Sequence, residues 1–280
     1  MIMDQIMSFF KIKKSVAGMI ILLFFILVAI LAPYIAPYSP TSMEFMPLEH
    51  PNSQHLLGTT ATGQDIFSRV IWGTRLSLSV GIITGLITIA LSIMMGITAG
   101  YFGGITDGIL SMITNIFLVI PGLPLMIIIA AYITVKGVMT IIIVISITGW
   151  AWGARVLRSQ AMTLKSRDFI KASVIVGEKS SHVIFSDILP NMLSLIVAEF
   201  FGSALYAVLS EAGLEFLGLG DANAVTWGTI LYWAQNNQAI LLGQWQWIAV
   251  PGLCIALLGT SFALLNFAVD ELTNPKLRRR

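Results

Sequence analysis

The chain has 280 residues, 56% of them hydrophobic and only 11% charged, which is too little polar surface to coat a water-soluble globule of this size. A net charge of +2 argues against a nucleic-acid binder, and the single cysteine, Cys254, excludes an intrachain disulfide and a cysteine-based metal cluster. The expected solvent is the lipid bilayer, and the expected fold class is an all-α polytopic membrane protein.

Crossing the hydrocarbon layer takes roughly twenty apolar residues, and six stretches qualify between charge clusters and Pro/Gly punctuation. After an N-terminal segment at 1–15, the first span occupies 16–36. A long polar loop at 37–75 follows, carrying Pro37, Pro40, Pro47 and Pro51. The second span is expected at 76–99 and the third at 108–133, joined by the turn Gly100-Tyr101-Phe102-Gly103-Gly104. A fourth span at 138–156 leads into a charged segment at 158–190. The fifth (192–214) and sixth (247–269) spans flank a loop with Asp221, Asn223, Asn236 and Asn237, and a basic tail at 270–280 ends the chain. Spans two to six form the five-helix core at 76–269.

An even number of spans puts both termini on one side, and the distribution of basic residues chooses the side. With the N-terminus cytoplasmic, Lys11, Lys13, Lys14, Arg155, Arg158, Lys165, Arg167, Lys171, Lys179, Lys276, Arg278, Arg279 and Arg280 all lie inside. Only Arg69, Arg75 and Lys136 then lie outside. A cleaved signal peptide would also begin with basic residues, but the apolar run after Lys14 is long and lacks a small-residue cleavage site, so a retained first helix is expected.

Gly96, Gly100 and Gly104 recur every fourth residue, as do Gly81 and Gly85, which predicts faces where helix backbones approach closely. Pro121 and Pro124 fall inside the third span, where they either kink it and shape a pathway or are simply tolerated. Ionisable groups at membrane depth are costly and face partners or water. Glu199 either lines a polar path or reaches back to the cytoplasmic surface, while Glu211 and Glu215, one turn apart near the outer end, fit a structural role better than solute binding. The candidate pathway residues are Asn115, Pro121, Pro124, Glu199 and Glu211.

Between spans four and five, residues 168–191 read as a short helix with an apolar face at Phe169, Ala172 and Val176. A break follows at Gly177, then a second helix stopped at Pro190. The pattern predicts a helix-turn-helix presented to the cytoplasm; the plainer alternative is an amphipathic loop on the membrane surface.

This segment resembles the EAA motif of ABC importer permeases, with Ala172, Gly177, Leu189 and Pro190 matching. Lys171 stands at the motif's leading Glu, Ser173 at its second Ala and Asp187 at its Ile. The resemblance extends along nearly the whole chain to the second permease of the dipeptide/oligopeptide/nickel group. It rests on His55-Leu56-Leu57-Gly58-Thr59 with Gly63-Gln64-Asp65 and Ser68-Arg69, on the Gly100–Gly104 turn, on the stretch from Glu211 to Gly220, and on Asn274-Pro275-Lys276-Leu277-Arg278.

The resemblance implies a type I ABC importer permease fold in a prokaryotic plasma (inner) membrane, with both termini cytoplasmic. It assigns ATPase coupling to Asp168, Phe169, Lys171, Ala172, Ser173, Gly177, Glu178, Leu189 and Pro190. The implied partners are a homologous second permease, two ATP-binding subunits and an extracytoplasmic solute-binding protein. No cofactor is expected on this chain: the nearest string to a phosphate loop, Gly177-Glu178-Lys179-Ser180, lacks the required spacing, so ATP-Mg belongs to the partner ATPases.

Peptides are the expected cargo, with oligosaccharides or nickel as alternatives in the same class. Trp227, Trp233, Trp245 and Trp247 either stack on sugar rings or form an ordinary interfacial belt. An ion-coupled secondary transporter is the rival from another class, and it would call for internal repeats and mid-membrane ionisable groups. His50 and His55 beside Glu49 lack a firm third ligand for a metal, and no hydrolase motif is present.

Overall fold

The computed structural model describes Phe9 and residues 12–273; the basic tail beyond 273, the motif at 274–278, Lys11 and most of the 1–15 segment lie outside the described residues. Five helices are long and apolar enough to cross a membrane, and a bent helix pair makes a sixth when it is counted as one span. They are α1 (Lys13–Ile35), α2 (Ile66–Phe102), the pair α3 (Gly104–Val119) and α4 (Gly122–Tyr132), α5 (Val138–Lys165), α7 (Leu193–Phe216) and α9 (Gln246–Thr273). Shorter helices include α6 (Asp168–Ile175) and α8 (Trp227–Asn236).

Helix α2 begins ten residues earlier than the sequence pattern indicated, because Asp65 caps it: its carboxylate accepts the Ser68 N–H at 2.7 Å. The helix has 37 residues. At 1.5 Å per residue that is about 55 Å, well beyond the ~30 Å hydrocarbon layer. The loop before it, 36–65, is ordered by the buried pair His55 Nδ1 and Asp65 Oδ1 at 2.9 Å, with the rings of Tyr38 and Phe45 against His55. Gly58 and Gly63 have positive φ, and a Cβ at either would lie 2.4 and 2.2 Å from the carbonyl oxygens of Glu49 and Phe45. The glycines of this sequence motif therefore serve a tightly folded loop.

Two glycine seams carry the bundle. A Cβ at Gly96 would meet the Ala154 carbonyl oxygen at 2.4 Å, and one at Gly100 the Arg158 carbonyl oxygen at 2.6 Å, so this seam joins α2 to α5. Gly81 and Gly85 face Val208 and Ala204 in the same way and join α2 to α7. Gly104 belongs to neither seam, for nothing approaches within 4 Å; with Gly103 it makes the positive-φ turn between α2 and α3. Polar bonds add to the packing: Ser92 Oγ donates to the Trp150 carbonyl at 2.7 Å across the first seam, and Ser261 Oγ to the Gly18 carbonyl at 3.1 Å, tying α9 to α1. Ile20, Leu23, Phe24, Leu27 and Ile30 of α1 are left facing outward, as a lipid-facing helix requires.

The third span differs from the continuous kinked helix read from the sequence. It breaks completely, with a 90° bend between α3 and α4. Ile120, preceding a proline, takes an extended conformation (φ −75°, ψ 127°), and Pro121 caps α4. Pro124 causes no second kink, because it sits in the first turn of α4, where its missing N–H has no intrahelical acceptor to lose.

Pro190 is also a correction. The chain passes from Ser180–His182 through a π-helical turn, Val183–Ile188, into Leu189–Asn191, where Pro190 lies in the opening positions of a new turn. Proline at a turn's start loses no backbone bond, so the segment runs on to Met192 and α7.

Helix α8 forms within the stretch whose sequence pattern indicates a loop. Thr226 and Thr229 form a reciprocal capping box at its start, and Trp227 is wholly buried with its indole N–H donating to the Val70 carbonyl at 3.1 Å. Trp247 is buried as well, so of the four tryptophans only Trp233 and Trp245 face outward.

Candidate functional site

Two features stand out from the bundle. The first is α6 with the turns that follow it, on the side where α5 ends and α7 begins. Asp168 starts α6, where its charge complements the helix dipole, and its carboxylate lies 3.5 Å from Lys171 Nζ. The helix ends in a Schellman turn: Gly177, at φ +91°, donates to the Val174 carbonyl, and the Glu178 N–H donates to Ser173. One residue anchors α6. Ile170 is fully buried, together with Val183 and Ile188 of the following turn, in a cluster with Leu157, Ala161 and Leu164 of α5.

The apolar face read from the sequence points the other way. Phe169, Ala172 and Val176 are exposed, as are Val174, Ile175 and Phe185, while Leu189 is partly buried and Pro190 exposed. The exposed apolar residues of α6 leave an apolar surface around a buried anchor that a partner can cover.

The second feature is a cavity of about 650 Å³ formed where the broken third span meets α5, α7 and α9. Glu199, Tyr206, Asn266 and Asp270 are among its polar lining residues, with Trp152 and Ile120 among the apolar walls. Asn266 is fixed by its amide donating to the Ala198 carbonyl at 2.6 Å. Ile120 also lines an adjoining groove that holds Asn115, whose side-chain carbonyl accepts from Arg155 Nη2 at 2.7 Å.

The structure thus separates the sequence-derived pathway residues. Glu199 lines the cavity, Asn115 lines the groove beside it, and Pro121 makes the break that opens both. Pro124 is exposed on α4. Glu211 is fully buried away from the cavity, where its Oε1 accepts from Ser77 Oγ at 3.3 Å, and Ser77 in turn accepts the Trp227 N–H at 3.2 Å. Glu215 accepts from Thr226 and packs against Gly220 and Gly228. The two glutamates fasten the start of α8 to α2 and α7. Asn266 and Asp270 were missed, although a pair of polar residues one turn apart in an otherwise apolar helix is a legible sign. Of the two histidines considered for a metal, His55 is engaged by Asp65, and no group of three or more metal-ligating side chains occurs among the described residues.

A helical bundle with membrane-long helices, a cavity at a broken helix pair and an exposed apolar surface between α5 and α7 defines a polytopic membrane protein. The chain belongs to the family described as binding-protein-dependent transport system inner membrane component, whose model matches residues 92–279. Residues 3–54 match the N-terminal transmembrane domain of oligopeptide transport permease C. Among curated proteins, the chain is similar to the dipeptide transport system permease protein DppC of Bacillus subtilis, 32% identical over 96% of this chain and 84% of that protein. It is equally similar to the oligopeptide transport system permease protein OppC of the same organism, at 32% over 99% of this chain and 90% of the relative. The di/tripeptide transport system permease protein DppC of Pseudomonas aeruginosa is 30% identical over 97% and 91% of the two chains.

Proposed function

We propose that this chain is the membrane-spanning permease subunit of an ATP-driven, binding-protein-dependent importer of di- and oligopeptides. The observation that carries this is the near full-length similarity to permeases named for dipeptide, di/tripeptide and oligopeptide transport. The uncovered patch at Phe169, Ala172 and Val176 supports the coupling half of the mechanism. An ATPase subunit docks on it, and Gly177 sets the turn that keeps the patch presented. Movement of α6 passes to α5 through Ile170 and so to the cavity wall. Asp168, Lys171, Ser173 and Glu178 supply polar contacts at the rim of this docking surface, and Leu189 and Pro190 close it toward α7.

In this reading the loop at 36–65 is extracytoplasmic, and the segments at 1–15, 158–190 and 270–280 are cytoplasmic, in a prokaryotic inner membrane. ATP and Mg²⁺ bind to two partner ATPases, a homologous permease completes the pathway, and a solute-binding protein delivers cargo to the outer loops. Affinity purification of the tagged chain from native membranes, with mass-spectrometric identification of what stays bound, tests this. Recovery of a second permease and ATPase subunits is the expected outcome. Recovery of the chain alone, with uptake that survives ATP depletion and collapses with the ion gradient, would overturn it in favour of a secondary transporter.

A further inference from the structure

The outer loops enclose a second cavity, of about 470 Å³, between the 36–65 loop and the stretch around α8. Arg69 forms part of its wall although the residue is only 5% exposed. Its Nη1 donates to two neutral acceptors, the Gln64 side-chain carbonyl and the Pro40 backbone carbonyl. Among the described residues no carboxylate lies within ion-pairing distance of it, since Asp65 is taken by His55 and by the Ser68 N–H, and the cavity lining contains no acidic residue. One buried donor beside it has no acceptor. Trp247 lines the same cavity, is 1% exposed, and its indole N–H has no hydrogen-bond partner among the described residues.

Burying a cation without a counter-charge is costly, and a guanidinium is shaped to grip a carboxylate through paired N–H groups. We infer that this cavity is a carboxylate site, with Arg69 as its cation and Trp233 as an apolar wall. The carboxylate comes either from the end of a short peptide or from an acidic side chain of a protein docking on the outer loops. Only this choice of source rests on the importer reading, and the site itself does not.

Calorimetric titration of the full chain in nanodiscs tests the site with tri-alanine against tri-alanine amide, and with N-acetyl-aspartate amide against N-acetyl-asparagine amide. In at least one pair the acid binds about tenfold more tightly than its amide, the size expected of one charge-assisted pair. Whichever acid binds more tightly identifies the source. Arg69→Gln brings the acid-to-amide ratio to about one, as loss of that single pair requires.

Because Arg69 also holds the loop, Asn223→Asp serves as a second variant. Asn223 is exposed at the cavity, and its side chain makes no hydrogen bond among the described residues, so the change spares the fold while adding a competing charge. It weakens acid binding and leaves amide binding alone. Equal binding of acid and amide, no heat from either acid, or a preference that survives both variants would overturn the site. Loss of peptide uptake by the assembled complex bears on the importer reading alone.

Discussion

The guanidinium of Arg158 on α5 grips both carboxylate oxygens of Asp107 on α3, Nε to Oδ1 at 2.5 Å and Nη2 to Oδ2 at 2.6 Å. Asp107 is steadied by Ser111, whose hydroxyl donates to Oδ1 at 2.8 Å. This fork holds the first half of the broken span against α5 while the second half turns away by 90°.

Breaking the fork is expected to loosen α3. Each side chain is partly exposed, so Arg158→Ala should cost about 1–2 kcal/mol, between a surface pair and a buried one. Thermal unfolding of the purified chain checks this, and the double variant with Asp107→Ala should cost clearly less than the sum of the two single changes. Additive losses would show that the pair is not coupled.

Gly96→Ala should reduce the yield of folded protein, because the new methyl would lie 2.4 Å from the Ala154 carbonyl oxygen, and backbone cannot swing aside. Gly108→Ala is the matched control: nothing lies within 4 Å of that position and its φ is helical, so stability should hold or rise slightly. Size-exclusion profiles of the two variants in mild detergent distinguish them.

Phe169 and Ile170 are neighbours in sequence with opposite consequences. Phe169→Ala should change the melting temperature little and lower ATP-dependent uptake, since Phe169 is 47% exposed and belongs to none of the buried apolar clusters. Ile170→Ala should destabilise the chain by about 2–5 kcal/mol, as truncating a fully buried side chain does. Uptake loss without destabilisation for Ile170→Ala would mean that the docking face has been assigned to the wrong side of α6.

Glu199→Gln is expected to change peptide uptake while leaving the fold intact, because Glu199 lines the cavity. Glu211→Ala should instead lower the melting temperature, because it strands the Ser77 hydroxyl that bridges to the start of α8. Uptake and thermal melts measured on both variants separate a cavity-wall residue from a fastening one.

Much of this architecture is written in the chain. Six apolar stretches and their punctuation correspond to five membrane-long helices and one bent pair, and the small-residue spacing at Gly81, Gly85, Gly96 and Gly100 marks the seams that join them. The segment at 168–191 was recognisable because charge, a glycine stop and an apolar triplet coincide between two spans. What the chain did not disclose is which side of each element faces inward. In a membrane helix both the lipid face and the packed face are apolar, so hydrophobic periodicity fades as a guide. Only the folded bundle decides that Ile170 is the anchor and Phe169 the exposed face, and that Glu199 lines a cavity while Glu211 fastens a helix. The same holds for the two prolines, since whether a missing N–H breaks a helix depends on its place within the turn, and tertiary packing sets where each turn begins.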